Sequence, residues 1–193
     1  SKEGIVIGNA AGRLFNLTNN RVRMTPPSTG AATFRNVAGK IQYIASFLKG
    51  GGDHLYRNDN GHFTEVTKQA GIHGSLISFG LGVSVTDIND DGYPDVFVSN
   101  DSYERDYLYI NQKNGTFKDE LTDWMQHVSF SSMGADIADI NNDGYLDLFT
   151  TDMFPMGDHR LKTMGAFDNI DLYNAKVKAG FYNQYPVNCL QLN

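Results

Sequence analysis

The sequence predicts an all-β protein: a β-propeller-like array of four-stranded blades, a partial propeller, with a helical insertion near the C-terminus. Three observations point there. The first is an internal repeat. Aligning 79–101 on 131–153 without gaps gives nine identities in 23 positions, among them Gly82/Gly134, Tyr93/Tyr145 and Phe97/Phe149. The second is a shorter feature ahead of each copy. Leu55-Tyr56-Arg57-Asn58 then Gly61-His62-Phe63 matches Leu108-Tyr109-Ile110-Asn111 then Gly115-Thr116-Phe117, and Leu190-Gln191-Leu192-Asn193 begins a third. A period near 50 residues belongs to propellers and arrays. The third is the strand pattern. Four short strands fit in one period, the size of a propeller blade.

Each element has its own reason. Gly82-Val83-Ser84-Val85-Thr86 alternates as a strand does. Val96-Phe97-Val98 and Leu148-Phe149 are continuous apolar runs, which suit strands buried on both faces. Tyr107-Leu108-Tyr109-Ile110 is a further strand, and Lys113-Asn114-Gly115 before Thr116-Phe117-Lys118 is a hairpin signal. Residues 46–193 hold the repeats, with a truncated repeat at 187–193, so a longer parent chain is expected. Residues 1–45 contain the Pro26-Pro27-Ser28-Thr29-Gly30 loop. Within them Ile5-Val6-Ile7 and Arg13-Leu14-Phe15 read as strands of a degenerate blade. Over 155–186, Leu161, Met164, Phe167, Ile170, Tyr173 and Val177 recur every three or four residues, predicting one or two amphipathic helices that cap the sheet edge.

The repeat carries one acidic loop twice. Asp87-Ile88-Asn89-Asp90-Asp91-Gly92-Tyr93-Pro94-Asp95 and Asp139-Ile140-Asn141-Asn142-Asp143-Gly144-Tyr145-Leu146-Asp147 both read D-x-N-x-D-G-x-x-D. Oxygen-bearing side chains fall at positions one, three, five and nine. A glycine at six permits a sharp turn. A hard cation such as Ca²⁺ takes six to eight oxygens, often with a backbone carbonyl among them. The ligand sets predicted are Asp87, Asn89, Asp91, the Tyr93 carbonyl and Asp95, and Asp139, Asn141, Asp143, the Tyr145 carbonyl and Asp147, for two Ca²⁺ ions. Without a cation, three carboxylates this close repel one another. An EF-hand would place an acid at position 12, where this chain has Val98 and Thr150. A metal-free Asx-rich turn does not predict the same four oxygen positions twice. Magnesium prefers stricter octahedral sites with retained waters.

Bulk properties narrow the function. The net charge is −6 over 193 residues, and two bound Ca²⁺ would bring it to −2. No basic stripe suggests nucleic acid. No apolar run is long enough for a transmembrane helix. Cys189 stands alone and reads as a buried core thiol. The five histidines, His54, His62, His73, His127 and His159, form no zinc pattern, and no nucleophile elbow or phosphate loop occurs. The expectation is therefore a non-enzyme. Asp101, Glu104, Arg105 and Asp106 read as a solvated charged turn. Asp136 and Asp152 flank the second loop. The Asn16, Asn100 and Asn114 triplets match the glycosylation acceptor pattern, a short motif that arises often by chance.

Leu-Tyr-x-Asn and Gly-x-Phe, followed by Asp-x-Asn-x-Asp-Gly-x-x-Asp, resemble the FG-GAP/VCBS repeat. The same repeat builds the calcium-binding blades of integrin α-subunit propellers. Asp53-His54-Leu55-Tyr56-Arg57-Asn58 and Asp106-Tyr107-Leu108-Tyr109-Ile110-Asn111 are similar to large secreted bacterial VCBS-repeat proteins, some of which carry an ASPIC/UnbV domain. The resemblance covers about 46–153 plus 187–193. It implies a β-propeller, calcium in the loops, an extracellular or cell-surface location and a binding, adhesion or scaffolding role toward a protein or glycan. The rival expectation is a catalytic or non-catalytic propeller part of a secreted carbohydrate-active or other hydrolase or lyase.

Overall fold

In the computed structural model the described residues are 5–8, 14–16, 34–37 and 40–43 for their backbone, then 52–73, 78–101, 104–154, 157–163 and 170–193. In chain order the strands are β1 (Ile5–Gly8), β2 (Leu14–Asn16), β3 (Phe34–Val37), β4 (Lys40–Tyr43), β5 (His54–Asp59), β6 (His62–Glu65), β7 (Gly80–Thr86), β8 (Asp95–Asn100), β9 (Tyr107–Asn111) and β10 (Phe117–Asp119). A short helix α1 (Leu121–Trp124) leads to β11 (Val128–Ser129), β12 (Ser132–Ala138) and β13 (Asp147–Asp152). Helices α2 (Asp158–Thr163) and α3 (Ile170–Lys178) precede β14 (Gln184–Tyr185) and β15 (Cys189–Gln191). The described residues are all-β apart from these short helices.

Three sheets follow the repeat. The second is a four-stranded antiparallel meander, β7-β8-β9-β10. The third, β12-β13-β15, has the same order for its three strands. The first is β2-β1-β5-β6, in which β1 pairs with β5 and β2 with the far edge of β1. Its chain order differs: β1 is laid down before the edge strand β2. A separate β3-β4 hairpin and a parallel β11-β14 ladder complete the set.

Period-two alternation splits the second sheet between two cores. Val96, Val98, Tyr107 and Tyr109 pack with Leu55, Ala70 and Phe117 against the first sheet. Phe97, Leu108 and Ile110 pack with Ile88, Leu121, Met125, Val128 and Leu148 toward the third. All six residues of β8 are buried. This is why its sequence reads as an unbroken apolar run: neither face meets water. Sheets two and three approach most closely along β7 and β12. A Cβ on Gly82 would lie 2.6 Å from Ser99 Oγ and 3.4 Å from Gly134 Cα. Ser84 Oγ donates across the same seam to the Ala135 carbonyl at 3.1 Å. Packing therefore requires a glycine at 82, whereas a Cβ on its repeat partner Gly134 would meet nothing within 4 Å.

The insertion forms two helices, and only part of the predicted stripe faces the sheet: Tyr173 docks. Ile170 and Val177 are exposed, whereas Lys176 is buried. Helix α3 rests on the β11-β14 ladder through Tyr173, stacked 6.1 Å from the Tyr185 ring, and Lys176, whose Nζ sits 4.4 Å from the centre of the Phe130 ring. Aromatic and cation–π contacts, not aliphatic spacing, choose this face. Met164 and Phe167 lie outside the described residues, and so does the side chain of Leu161. No helix among the described residues is long and apolar enough to cross a membrane.

Candidate metal centre

Both acidic loops join the first two strands of a sheet, β7 to β8 and β12 to β13, and their hydrogen bonds match. In the first, Asp87 Oδ1 accepts from Asp91 N at 2.9 Å and Oδ2 from Gly92 N at 2.6 Å. In the second, Asp139 Oδ1 accepts from Asp143 N at 3.1 Å and Oδ2 from Gly144 N at 2.9 Å. Asp91 Oδ1 takes the Tyr93 N–H and Asp143 Oδ1 the Tyr145 N–H, each at 2.9 Å. Asn89 and Asn141 donate Nδ2 to Asp91 Oδ2 at 3.0 Å and Asp143 Oδ2 at 2.8 Å. The backbone is left-handed at positions four and six in both: φ is 56° at Asp90 and 87° at Gly92, 60° at Asn142 and 92° at Gly144. Asp and Asn tolerate that region and glycine enters it freely.

The ninth residue is the anchor. Asp95 and Asp147 are buried. Asp95 Oδ2 accepts from Ile88 N at 3.1 Å and Oδ1 from Asn111 N at 2.8 Å. Asp147 Oδ2 accepts from Ile140 N at 3.0 Å and Oδ1 from Asn193 N at 3.0 Å. Each aspartate ties its own loop to the end of the third strand of its sheet. Asn111 and Asn193 are the last residues of the repeated Leu-x-x-Asn feature, so that repeat carried the signal for them. Their role was not legible without the pairing.

Burial pushes the Asp95 carboxyl above its ordinary value. The Asn111 and Ile88 N–H bonds oppose that shift, and the Asp91 and Asp87 charges add to it. At Asp91 burial pulls upward too, but donors from Asn89, Tyr93 and Lys113 outweigh it and hold the carboxyl low. Lys113 Nζ lies 3.3 Å from Asp91 Oδ2 and 5.3 Å from the centre of the Tyr93 ring.

The predicted donors thus share one small loop in each repeat, and every side-chain donor is oxygen. Among the described residues no three His, Cys, Asp or Glu side chains converge as a ready-made metal cage. The carboxylates instead face backbone N–H groups. One atom of the first loop is left over: Asn89 Oδ1 is buried and has no hydrogen-bond partner. Its counterpart, Asn141 Oδ1, accepts from Asp143 N at 2.9 Å. An all-oxygen donor set with an orphaned amide oxygen fits a hard cation.

The opposite end of the sheets departs from expectation. Of the charged residues expected to be solvated there, Glu104 and Asp106 are buried and Asp101 and Arg105 half-buried. Tyr107 donates its hydroxyl to Glu104, Arg105 pairs with Asp119, and Asp106 Oδ1 accepts from Asn100 N at 2.8 Å. The β8–β9 connection is short, so these side chains turn back onto the strand ends. Asp53, at the matching position of the first sheet, is buried, and among the described residues neither of its carboxyl oxygens has a hydrogen-bond partner. Burial, with help from the Glu104 charge, pushes it up to about 7. Burial likewise pushes Asp106 up to about 8. Asp152 accepts from Ser129 Oγ at 2.5 Å and Ser131 N at 2.9 Å, well away from the loop. Asp136 is exposed and accepts the Ile137 N–H at 3.0 Å. Cys189 is a buried free thiol, and burial pushes it up to about 11.

No curated protein matches the chain. The family model for the FG-GAP-like repeat matches twice, over residues 39–98 and 87–150. These matches span both acidic loops and more than half of the 193 residues. The first acidic loop falls within both matches and the second within one, and on this footing the chain belongs to the FG-GAP-like repeat family.

Proposed function

We propose that this repeat module is a calcium-stabilised β-propeller segment that serves in binding, adhesion or scaffolding outside the cell or on its surface. The observation that carries the reading is the doubled loop. Two neighbouring sheets present the same all-oxygen set at the same end, anchored by Asp95 and Asp147, with Asn89 Oδ1 buried and unsatisfied. Asp87, Asn89, Asp91, the Tyr93 carbonyl and Asp95 would hold one ion. Asp139, Asn141, Asp143, the Tyr145 carbonyl and Asp147 would hold the other. Bound Ca²⁺ supplies charge neutralisation and cross-links the first two strands of each sheet. Extracellular modules bind Ca²⁺ with dissociation constants of roughly 10⁻⁴–10⁻³ M, which suits a role outside the cell.

The propeller reading draws on burial. Phe97 and Leu108, each 1% exposed, face the third sheet, whereas their repeat equivalents Phe149 and Leu190 are 37% and 49% exposed. The third sheet thus offers a further repeat the same apolar face that the second sheet buries.

Thermal unfolding in excess Ca²⁺ and in EGTA, with metal content measured on the same sample, tests the reading. Two ions per chain are expected. Each site adds about 2.7 kcal/mol when Ca²⁺ is at 100 times its dissociation constant. An unchanged melting point with no bound calcium would refute it.

A further inference from the structure

The first and second sheets enclose a groove of about 470 Å³ beside the first acidic loop. Its floor is apolar, built by Leu55, Val66, Ala70 and Phe117. Polar groups ring it: Arg57 from β5, and Asn111, Lys113 and Thr116 from the end of β9 and the turn into β10. Tyr93, exposed at the tip of the first loop, stands at the same rim. The volume lies within the range of small-molecule sites, and an apolar floor with a few converging polar groups is their usual make-up.

We propose that this groove binds an acidic saccharide, a uronic-acid unit, and that Ca²⁺ in the first loop strengthens that binding. This inference rests on the calcium reading above. The apolar floor and the Tyr93 ring suit a sugar's C–H face, while the amide and hydroxyl groups of Asn111 and Thr116 suit its hydroxyls. Lys113 suits the carboxylate, and Arg57 adds a second cation at the rim, where Asp59 already holds it through Nε at 2.8 Å and Nη2 at 3.2 Å.

Lys113 belongs to both places. It lines the groove, and its Nζ is 3.3 Å from Asp91 Oδ2. Without metal its charge is shared with Asp91. When Asp91 turns its charge to a cation, the Lys113 ammonium is released from that pairing and serves a ligand carboxylate in the groove. The coupling is reciprocal, so the saccharide also tightens Ca²⁺. A second loop placed alike lacks this link, because among the described residues no cation pairs with Asp143.

Isothermal titration of the whole chain tests this. Ca²⁺ is titrated first. A glucuronate-containing disaccharide is then titrated into Ca²⁺-loaded and EGTA-treated protein, with the neutral glucose disaccharide and an acidic hexapeptide as controls. The expected result is uronide binding that weakens about tenfold in EGTA, within the usual range of coupling between sites. Lys113→Asn, which keeps a residue that tolerates φ of 62°, should give a similar loss and abolish the calcium dependence. Arg57→Gln should weaken binding with the calcium dependence kept. If Ca²⁺ binds but the uronide gives no heat, the groove inference falls and the calcium reading stands. Equal binding of the neutral sugar or of the peptide overturns the ligand class. If no Ca²⁺ binds, both readings fall together.

Discussion

The two acidic loops share seven of nine residues and almost every internal hydrogen bond, yet they sit in different surroundings. Ile88 of the first is 5% exposed and packs between sheets two and three; Ile140 of the second is 49% exposed. The first has Lys113 at Asp91 and a groove alongside, with Asn193 Nδ2 donating to the Ile88 carbonyl at 3.2 Å. The second has none of these. Its Asn141 Oδ1 is satisfied within the loop, whereas Asn89 Oδ1 is not. One local sequence therefore makes one local shape, and the neighbouring sheet decides how buried, braced and demanding that shape becomes.

The sharpest way to break the comparison is in the core beneath the loops. Phe97→Ala should cost about 3–5 kcal/mol, the usual loss for a buried aromatic, while Phe149→Ala should cost less than about 1 kcal/mol, as a half-open site does. Urea unfolding reads both. Equal costs would mean that Phe149 is covered in solution, as a further docked repeat would require.

Next come the anchors. Asp95→Ala strands the Ile88 and Asn111 N–H groups and should cost about 2–4 kcal/mol, since each orphaned group costs about 1–3 kcal/mol. Asp147→Ala should cost less, because Ile140 and Asn193 are exposed and water replaces the lost acceptor. The same denaturation series compares them.

A third contrast lies at the opposite end. Asp53 and Asp106 hold a position that the third repeat fills with Asn188, whose Oδ1 accepts from Asp152 N at 2.7 Å. The folded protein holds the Asp53 proton up to about pH 7, whereas the unfolded chain releases it near 3.8. Its contribution is thus full below pH 4 and is lost as pH rises through 7. Asp53→Asn leaves no charge to bury, so it should flatten that fall and stabilise the protein at pH 8 by on the order of 1–3 kcal/mol. Melting curves from pH 5 to 9 test it, and a variant no more stable at pH 8 than the parent would show that Asp53 finds a partner.

The smallest effect concerns the Lys113 brace. In a background with the second loop disabled by Asp143→Asn, Lys113→Asn should tighten Ca²⁺ about two- to fivefold, the worth of one exposed ion pair. Calcium titration followed by calorimetry measures it. No change would mean that Lys113 does not compete with the ion.

Much of this was legible because it is local. The loop residues lie within nine positions of one another, so turn chemistry, glycine placement and oxygen spacing are readable in the chain. The β7–β10 meander was legible too, since alternation and the Lys113-Asn114-Gly115 turn act on neighbours. The helical stripe was legible in part: Tyr173 docks α3, but Ile170 and Val177 are exposed and the unpredicted Lys176 is buried, because spacing does not weigh cation–π contacts. The 101–106 turn misled for a related reason: its charges looked solvated until the sheet ends closed over Glu104 and Asp106.

The sequence by itself determined the repeat, the strands and the shape of the two acidic loops, because each depends on backbone preferences over a few residues. Only the tertiary structure decided the rest. It joined Asn111 and Asn193 to the ninth-position aspartates, buried Asp53 with no hydrogen-bond partner among the described residues, turned Lys113 toward both a loop and a groove, and made one acidic loop half-buried and the other open. Those outcomes depend on which sheet face meets which. Contacts between residues up to about 100 positions apart, such as Asn193 with Ile88, are set by packing and not by local propensity.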